Sequence, residues 1–577
     1  MALVATATGG AHAEPGTPAT PSTPSTPSTP GLTAHQIALL ERDPSLSASP
    51  DGQIFAVDAW QAPTGAAATA DSTADDLTTA QASALTSYSL ADTFVMHSRP
   101  GANRTIYLDF DGGTLLSTNS WLLNGLSTLV FPGWSLDASP SFSDDERTVI
   151  QEVWARVAED YAPFDIDVTT QEPAAGGLWR ASSGDTAYGT RVAFSSGTAV
   201  QRALCNGGCG GIAWIGTYNM VTPGETRSPA WVFPSSLGNK AKNLAEAAAH
   251  EAGHTLGLSH DGTTTNGYYA GNALWGPIMG SPYAAAVTQW SRGDYLGANN
   301  HEDDVAVIAA HGGTLRTDEA GDNPDTALPY TDLPHGTGLI TTSADRDWYR
   351  LDGCSGTVTA QADPSEVGPN LDIRLELRNA SGALLTAAAP ATTRVNGRLN
   401  GLSATVSRSL TGGPYYVSVA GAGSGEGGAS GWASGGYDAY GSLGSYTLAV
   451  TGCAGGSSVA KPPSAAKPGA SSTPARRPSA PAVPKVAKGA TGGKLSIGVR
   501  WSTPVTGGAA ITGYVINAYR LDARGRVVAT KHTSVLPGTT QAVQLMLPKG
   551  RWAVRIKARN RIGWGPLSPR SAAAKAR

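Results

Sequence analysis

His250-Glu251-Ala252-Gly253-His254-Thr255-Leu256-Gly257-Leu258-Ser259-His260-Asp261 is the stretch on which the reading of this 577-residue chain turns. It follows Asn243-Leu-Ala-Glu-Ala-Ala-Ala, a run of strong helix formers, so the sequence predicts a helix from about Lys240 to Leu256. Residues four apart on a helix share a face, and His250 and His254 therefore present their imidazoles to one point. Glu251 sits beside the first of them, where a carboxylate can take a proton from water. Gly257 is where the helix can stop, because glycine accepts the left-handed turn, and that turn brings His260 back as a third ligand. Three histidines with one position left open form the ligand set of a catalytic zinc ion. A shuffled chain of this composition would show the pattern with a probability of roughly 3 in 100,000, too seldom for two chance histidines on a buried helix to explain it.

The motif resembles that of the metzincin zinc endopeptidases, and Asp261 after the third histidine is similar to the reprolysin-like (adamalysin) branch. Pro277-Ile278-Met279-Gly280 looks like the Met-turn of that clan, which implies that Met279 floors the zinc ligands. Ile106-Tyr-Leu-Asp-Phe-Asp-Gly112, Asp160-Tyr-Ala-Pro-Phe-Asp-Ile-Asp-Val168 and Gln289-Trp-Ser-Arg-Gly-Asp294 resemble a group of secreted bacterial metalloproteases. The resemblance covers roughly residues 95–315. It implies an α+β catalytic domain, a twisted mixed sheet above the active-site helix, whose antiparallel edge strand, here Gly211–Tyr218, binds an extended peptide by strand addition. It also implies Glu251 as the general base. Two features depart from the clan. The position two residues after the Met, which in some members is Tyr, is Ser281, and Tyr283 is given no catalytic role. Residues 1–204 hold no cysteine, so latency of the matrix-protease kind is excluded.

Size and composition set the frame. At 577 residues the chain exceeds one core, and Gly 71 with Pro 38 at only 15% charged residues suits β-rich modules joined by linkers. No run is apolar for long enough to cross a bilayer. The net charge of -4 conceals an asymmetry: residues 481–577 carry 17 Lys and Arg against the single acid Asp522, leaving 24 basic and 44 acidic residues elsewhere. The basic end either meets an anionic surface, a cell-wall polymer rather than nucleic acid, or is simply solvated. The four cysteines fall into two local sets. Cys205 and Cys209 bracket a short glycine loop, and Cys354 and Cys453 stand at the two ends of one β module. Disulfides are the favoured reading, with free thiols or metal binding as alternatives, and they imply an oxidising, extracellular setting.

The expected organisation is multidomain. Residues 1–13 read as a signal remnant ending Ala11-His12-Ala13, residues 14–33 as a Pro/Ser/Thr linker, and residues 34–95 as either a propeptide or an ordered extension with a helical start at Ala34–Glu41. Residues 96–315 form the catalytic domain. Within it Ser143-Asp-Asp-Glu146 is a capping box opening a helix with Ile150, Val153, Trp154 and Val157 on its inner face. Two β-sandwich modules follow. Residues 316–453 resemble the bacterial pre-peptidase C-terminal domain through Asp345-Arg-Asp-Trp-Tyr-Arg350 and Gly444-Ser-Tyr-Thr-Leu448. Beyond a linker at 454–480, residues 481–577 resemble a fibronectin type III domain through Trp501, Thr512-Gly-Tyr514 and Gly563-Trp-Gly-Pro566. Asp109 and Asp111 offer a weak calcium reading, which a strand ending in an Asp-Gly turn explains more simply. Asp303 and Asp304 read as the charged start of a last helix, and His97, His301 and His311 as residues that ligate nothing. The functional expectation is a secreted zinc endopeptidase acting on proteins or peptides. Two rivals stay open: a surface-binding protein with a degenerate protease domain, and a zinc amidase acting on cell-wall peptides.

Overall fold

The computed structural model describes residues 32–59, 88–122, 128–137, 139, 141–272, 274–395, 398–425, 436–454, 477–488, 495–506, 511–533, 536–538, 540–560 and 563–576. The signal remnant, most of the first linker and almost all of the second lie outside these residues. Two compact units divide the chain, residues 1–467 and 468–577.

In the first unit α1 (Ala34–Arg42) opens with a capping box from Thr33 and Gln36 and leads into the hairpin β1 (Leu46–Ala48) and β2 (Ile54–Ala59). Then come β3 (Arg104–Asp109), the hairpin β4 (Gly112–Leu116) and β5 (Thr128–Pro132), α2 (Asp144–Asp160), β6 (Asp167–Thr169) and β7 (Tyr188–Phe194). They are followed by α3 (Thr198–Cys205), β8 (Cys209–Trp214), β9 (Ala230–Val232) and α4 (Ala241–Thr255). Strands β10 (Trp275–Pro277) and β11 (Val287–Gln289) pair in parallel ahead of α5 (Asp304–Ala310). Among the described residues the main sheet has seven strands in the order β1-β2-β8-β9-β7-β3-β6. Pairing is parallel through β9-β7-β3-β6 and antiparallel through β9-β8-β2-β1, so the sheet is mixed.

Helix α2 starts at the Ser143/Glu146 capping box, and Ile150, Val153, Trp154 and Val157 are all buried. Helix α4 is buried on every side, which its alanines permit: Ala245, Ala247, Ala248, Ala249 and Ala252 let neighbours approach the backbone closely. The sheet's other face is an aromatic layer of Trp121, Phe131, Trp214, Trp231 and Phe233.

The region read from sequence as a separate first sandwich shares one continuous core with the catalytic elements. Its two sheets contain five strands (Leu328–Pro329, Arg346–Leu351, Tyr415–Gly421, Ile373–Arg378, Leu384–Ala388) and four (Thr337–Ile340, Gly444–Thr451, Cys354–Pro364, Ala404–Gly412). Polar pins cross between them and the catalytic elements. Ser445 donates to Glu159 from its backbone N (2.9 Å) and its Oγ (2.6 Å), and Asn370 Nδ2 donates to Asp160 Oδ1 (2.8 Å). Disulfides join Cys205 to Cys209 and Cys354 to Cys453.

The second unit is all-β among its described residues. Lys485–Lys488, Ser496–Arg500 and Ala542–Met546 form one sheet, and Val527–His532, Ile511–Leu521, Gly550–Asn560 and Gly563–Trp564 another. Trp501, Tyr514 and Trp552 centre its own core.

Candidate metal centre

Helix α4 carries His250, Glu251 and His254, and its end is fixed by backbone chemistry. Leu258 N bonds back to Gly253 O (3.1 Å), and Gly257 adopts φ 98°, which a β-carbon would strain. The chain then reverses and returns His260 to the helix face. All three rings are buried, and each is locked at the nitrogen that faces away from the others. His250 Nδ1 donates to the Ile278 carbonyl (2.8 Å), and His254 Nδ1 donates to the Leu258 carbonyl (2.8 Å). His260 Nδ1 donates to Asp43 Oδ2 (2.6 Å). Hydrogen-bonded Nδ1 atoms fix the tautomer that leaves each Nε2 lone pair free for a metal. His254 Nε2 and His260 Nε2 stand 3.0 Å apart, and His250 Nε2 is buried without a hydrogen-bond partner. Three inward lone pairs around one point are the donor set of a divalent cation such as zinc, and the residues fit that ion.

A fourth group joins them from outside the motif. Asp58 on β2 places Oδ1 2.7 Å from His260 Nε2, with Oδ2 3.5 Å from His254 Nε2 and 3.7 Å from His250 Nε2. Tyr268 donates its hydroxyl to Asp58 Oδ1 (2.8 Å), and its ring packs on His260. Burial pushes the Asp58 carboxyl up, but attraction to and hydrogen bonding with the His260 and His254 rings outweigh it and hold the group well below the usual carboxylate range. Glu251 is shifted the other way, well above its ordinary value, by burial and then by the negative charge of Asp58. One Glu251 oxygen, Oε2, is buried without a hydrogen-bond partner.

Two glycines make this packing feasible. A β-carbon on Gly211 of β8 would lie 1.7 Å from Glu251 Oε1, so glycine there is what lets the carboxylate lie against the strand. A β-carbon on Gly253, between the two helical histidines, would lie 2.7 Å from Met279 Sδ. Met279 is fully buried beneath the helix at that point. Asp261 is buried too. Its backbone N bonds Met279 O (2.9 Å), tying the histidine loop to that turn, and burial followed by the Glu302 charge pushes its carboxyl up to about 8.

Asp109 Oδ1 accepts from Asp111 N (3.0 Å), the turn reading, and burial raises its carboxyl to about 7 despite Arg191. Asp303 caps α5 through Ala306 N (2.9 Å), whereas Asp304 is buried and accepts from Ser291 N (2.8 Å), a structural anchor more than a surface charge. His97 pairs with Asp167 (2.6 Å), and His311 packs under Gly257. Among the described residues one other set of converging carboxylates, Asp318, Asp345 and Asp347, lies in the sandwich region. Sequence reading missed Asp58, Asp43, Tyr268 and the role of Gly211. The readable signal was the alternation Ile54, Ala56, Asp58, which puts an acid on the inward face of a strand.

Residues 175–261 match the family described as metallo-peptidase family M12B, reprolysin-like, a span that includes β8, α4 and all three histidines and ends on Asp261. That match and the histidine–aspartate cluster together define the chain as a zinc metallopeptidase, a hydrolase. Among solved structures, the FN5 domain of Drosophila Lar is similar at 24% identity, over 17% of this chain and 96% of that one, with a TM-score of 0.14. An fn3 domain of human contactin 1 is similar at 21% identity, over 18% of this chain and 81% of that one, with a TM-score of 0.15. No curated protein matches the chain.

Proposed function

We propose that this protein is a secreted endopeptidase that cleaves proteins or peptides, with zinc held by His250, His254 and His260 and Glu251 as general base. The observation that carries the reading is the convergence of three imidazole Nε2 atoms beside a buried carboxylate, each ring locked at Nδ1. Zinc at such a site supplies Lewis acidity, polarising a carbonyl and lowering the pKa of water to about 7. Glu251 takes the proton of the attacking water at Oε and later gives it to the leaving amine. The Ile278 and Leu258 carbonyls keep His250 and His254 in one orientation throughout, so no reorganisation is needed as charge develops. Met279 and the alanine face of α4 exclude solvent from below.

Secretion is supported by the two disulfides and by the absence, among the described residues, of any helix long and apolar enough to cross a membrane. The sandwich region is assigned as a pre-peptidase C-terminal module and residues 481–577 as a fibronectin type III module. The strongly basic composition of the latter suits binding to an anionic surface polymer.

The test is Glu251→Gln. The variant is expected to retain its metal, measured by elemental analysis, while peptide hydrolysis falls by about 10²–10⁴-fold. Undiminished turnover would refute the assignment of Glu251.

A further inference from the structure

A sheet edge presents unpaired N–H and C=O groups and recruits a strand. The edge of β8 is the one expected to receive an extended peptide. In this structure it is already filled by the chain's own N-terminal segment. Strand β2 runs antiparallel to β8 in the register Phe55↔Trp214, Ala56↔Ala213, Val57↔Ile212, Asp58↔Gly211, with Ala59 opposite Cys209 after an irregularity. Phe55 anchors the outer face, packing edge-on to Trp214 (5.1 Å between ring centroids) and Trp121 (5.8 Å). The alternation turns Ile54, Ala56 and Asp58 inward, and the pairing register sets Asp58 opposite the glycine over which Glu251 lies.

The consequence is geometric. Asp58 offers its carboxylate to the same point as the three histidines, in the position an attacking water needs next to Glu251. The same segment also supplies Asp43 to His260 Nδ1, with Ser45 Oγ 3.0 Å from that nitrogen. Turnover requires a water at the metal and a peptide strand on β8, and one short segment blocks both. Its buried apolar residues Leu46, Ile54 and Ala56 form a small cluster of their own with Leu39, Leu40 and Ile215, apart from the main core.

We infer that residues 33–59 are a built-in inhibitory strand: β2 occupies the substrate edge in the manner of a peptide, and Asp58 is the fourth ligand of the metal, so that activity requires their displacement. The inference rests on the zinc peptidase reading. Displacement is a ligand exchange, carboxylate out and water in, with no electron transfer. Because the strand competes for the edge, apparent affinity for another ligand there is the intrinsic affinity multiplied by the fraction of time the edge is open.

The experiment uses the full chain as wild type, Asp58→Ala and Asp58→Asn, the latter close in shape and still able to accept from Tyr268. Each is loaded with Co2+, checked for folding by its melting curve, and examined in three ways: the visible spectrum of the cobalt, calorimetric binding of a peptide hydroxamate, and hydrolysis of a quenched fluorescent peptide. Both variants are expected to bind cobalt with an altered ligand-field spectrum, to bind the hydroxamate at least about tenfold more tightly than wild type, and to cleave the peptide at least about tenfold faster. An unchanged spectrum with cobalt bound removes Asp58 from the ligand set. Hydroxamate affinity and turnover no higher than wild type would overturn the inhibitory role. If wild type takes up no cobalt, or takes it up equally well after His254→Ala, the underlying peptidase reading fails instead.

Discussion

At the scale of single residues, the centre depends on side chains that are absent as much as on those that ligate. Gly253 has no side chain to offer a metal, yet it is the position at which Met279 Sδ reaches the helix. Gly253→Ala places a methyl 2.7 Å from that sulfur, inside contact distance. Overpacking of this kind costs about 1–3 kcal/mol. A lower urea midpoint with an unchanged m-value is expected, and a midpoint equal to wild type would show that Met279 has room to withdraw. The convergence of His250 and His254 was legible because helix geometry converts a spacing of four into a shared face. Asp58 was not, since nothing local to Ile54–Ala59 says which strand it will pair with.

At the scale of elements, α2 shows how a helix read correctly in sequence acquires a partner that sequence does not announce. Its capping box and apolar face were visible, but the end of the helix at Glu159 is buried against Gly444–Thr451 of the sandwich. Burial pushes the Glu159 carboxyl up to about 7, against the two hydrogen bonds from Ser445. An unfolded glutamate titrates near ~4.3, so between that pH and about 7 the folded chain holds one proton more than the unfolded chain. Stability from this group is therefore greatest below that window, falls as pH rises through it and is level above. Glu159→Gln can keep both contacts and has no proton to lose. The stability difference should move in favour of the variant by about 1–3 kcal/mol between about pH 5 and 7.5, measured by urea unfolding at each pH. Parallel curves for the two proteins would remove Glu159 as the cause. The short elements α3 and the β4–β5 hairpin escaped the sequence reading, being too brief for a periodic pattern to rise above composition.

At the scale of the whole molecule, the two disulfides differ in what they close. Cys205 and Cys209 stand 4 positions apart in the sequence, Cys354 and Cys453 99. Loop-closure entropy predicts that the long bridge restrains the unfolded chain by about 4.7 kcal/mol and the short one by about 2 kcal/mol. Paired Ser substitutions at Cys354 and Cys453 should thus lower stability roughly twice as much as those at Cys205 and Cys209, compared by chemical denaturation. Equal losses would mean that packing, not chain restraint, dominates. The long bridge closes a region that shares its core with the catalytic elements, so its removal should also be felt at the metal site.

The sequence alone determined which three histidines come together and the glutamate beside them, the helix that carries His250, Glu251 and His254, the turn at Gly257 and the mainly β character of the described residues after α5. Those properties are local: a period of 3.6 or 2, a glycine where φ must be positive, four residues between two rings. Only the tertiary structure decided which strand lies on the edge of β8, what stands opposite the three histidines, and where the catalytic core ends. Strand pairing and the joining of two modules are contacts between residues far apart in the chain, as with Asp58 and His260 or Glu159 and Ser445, and their choice rests on complementary surfaces that exist only once both partners have folded.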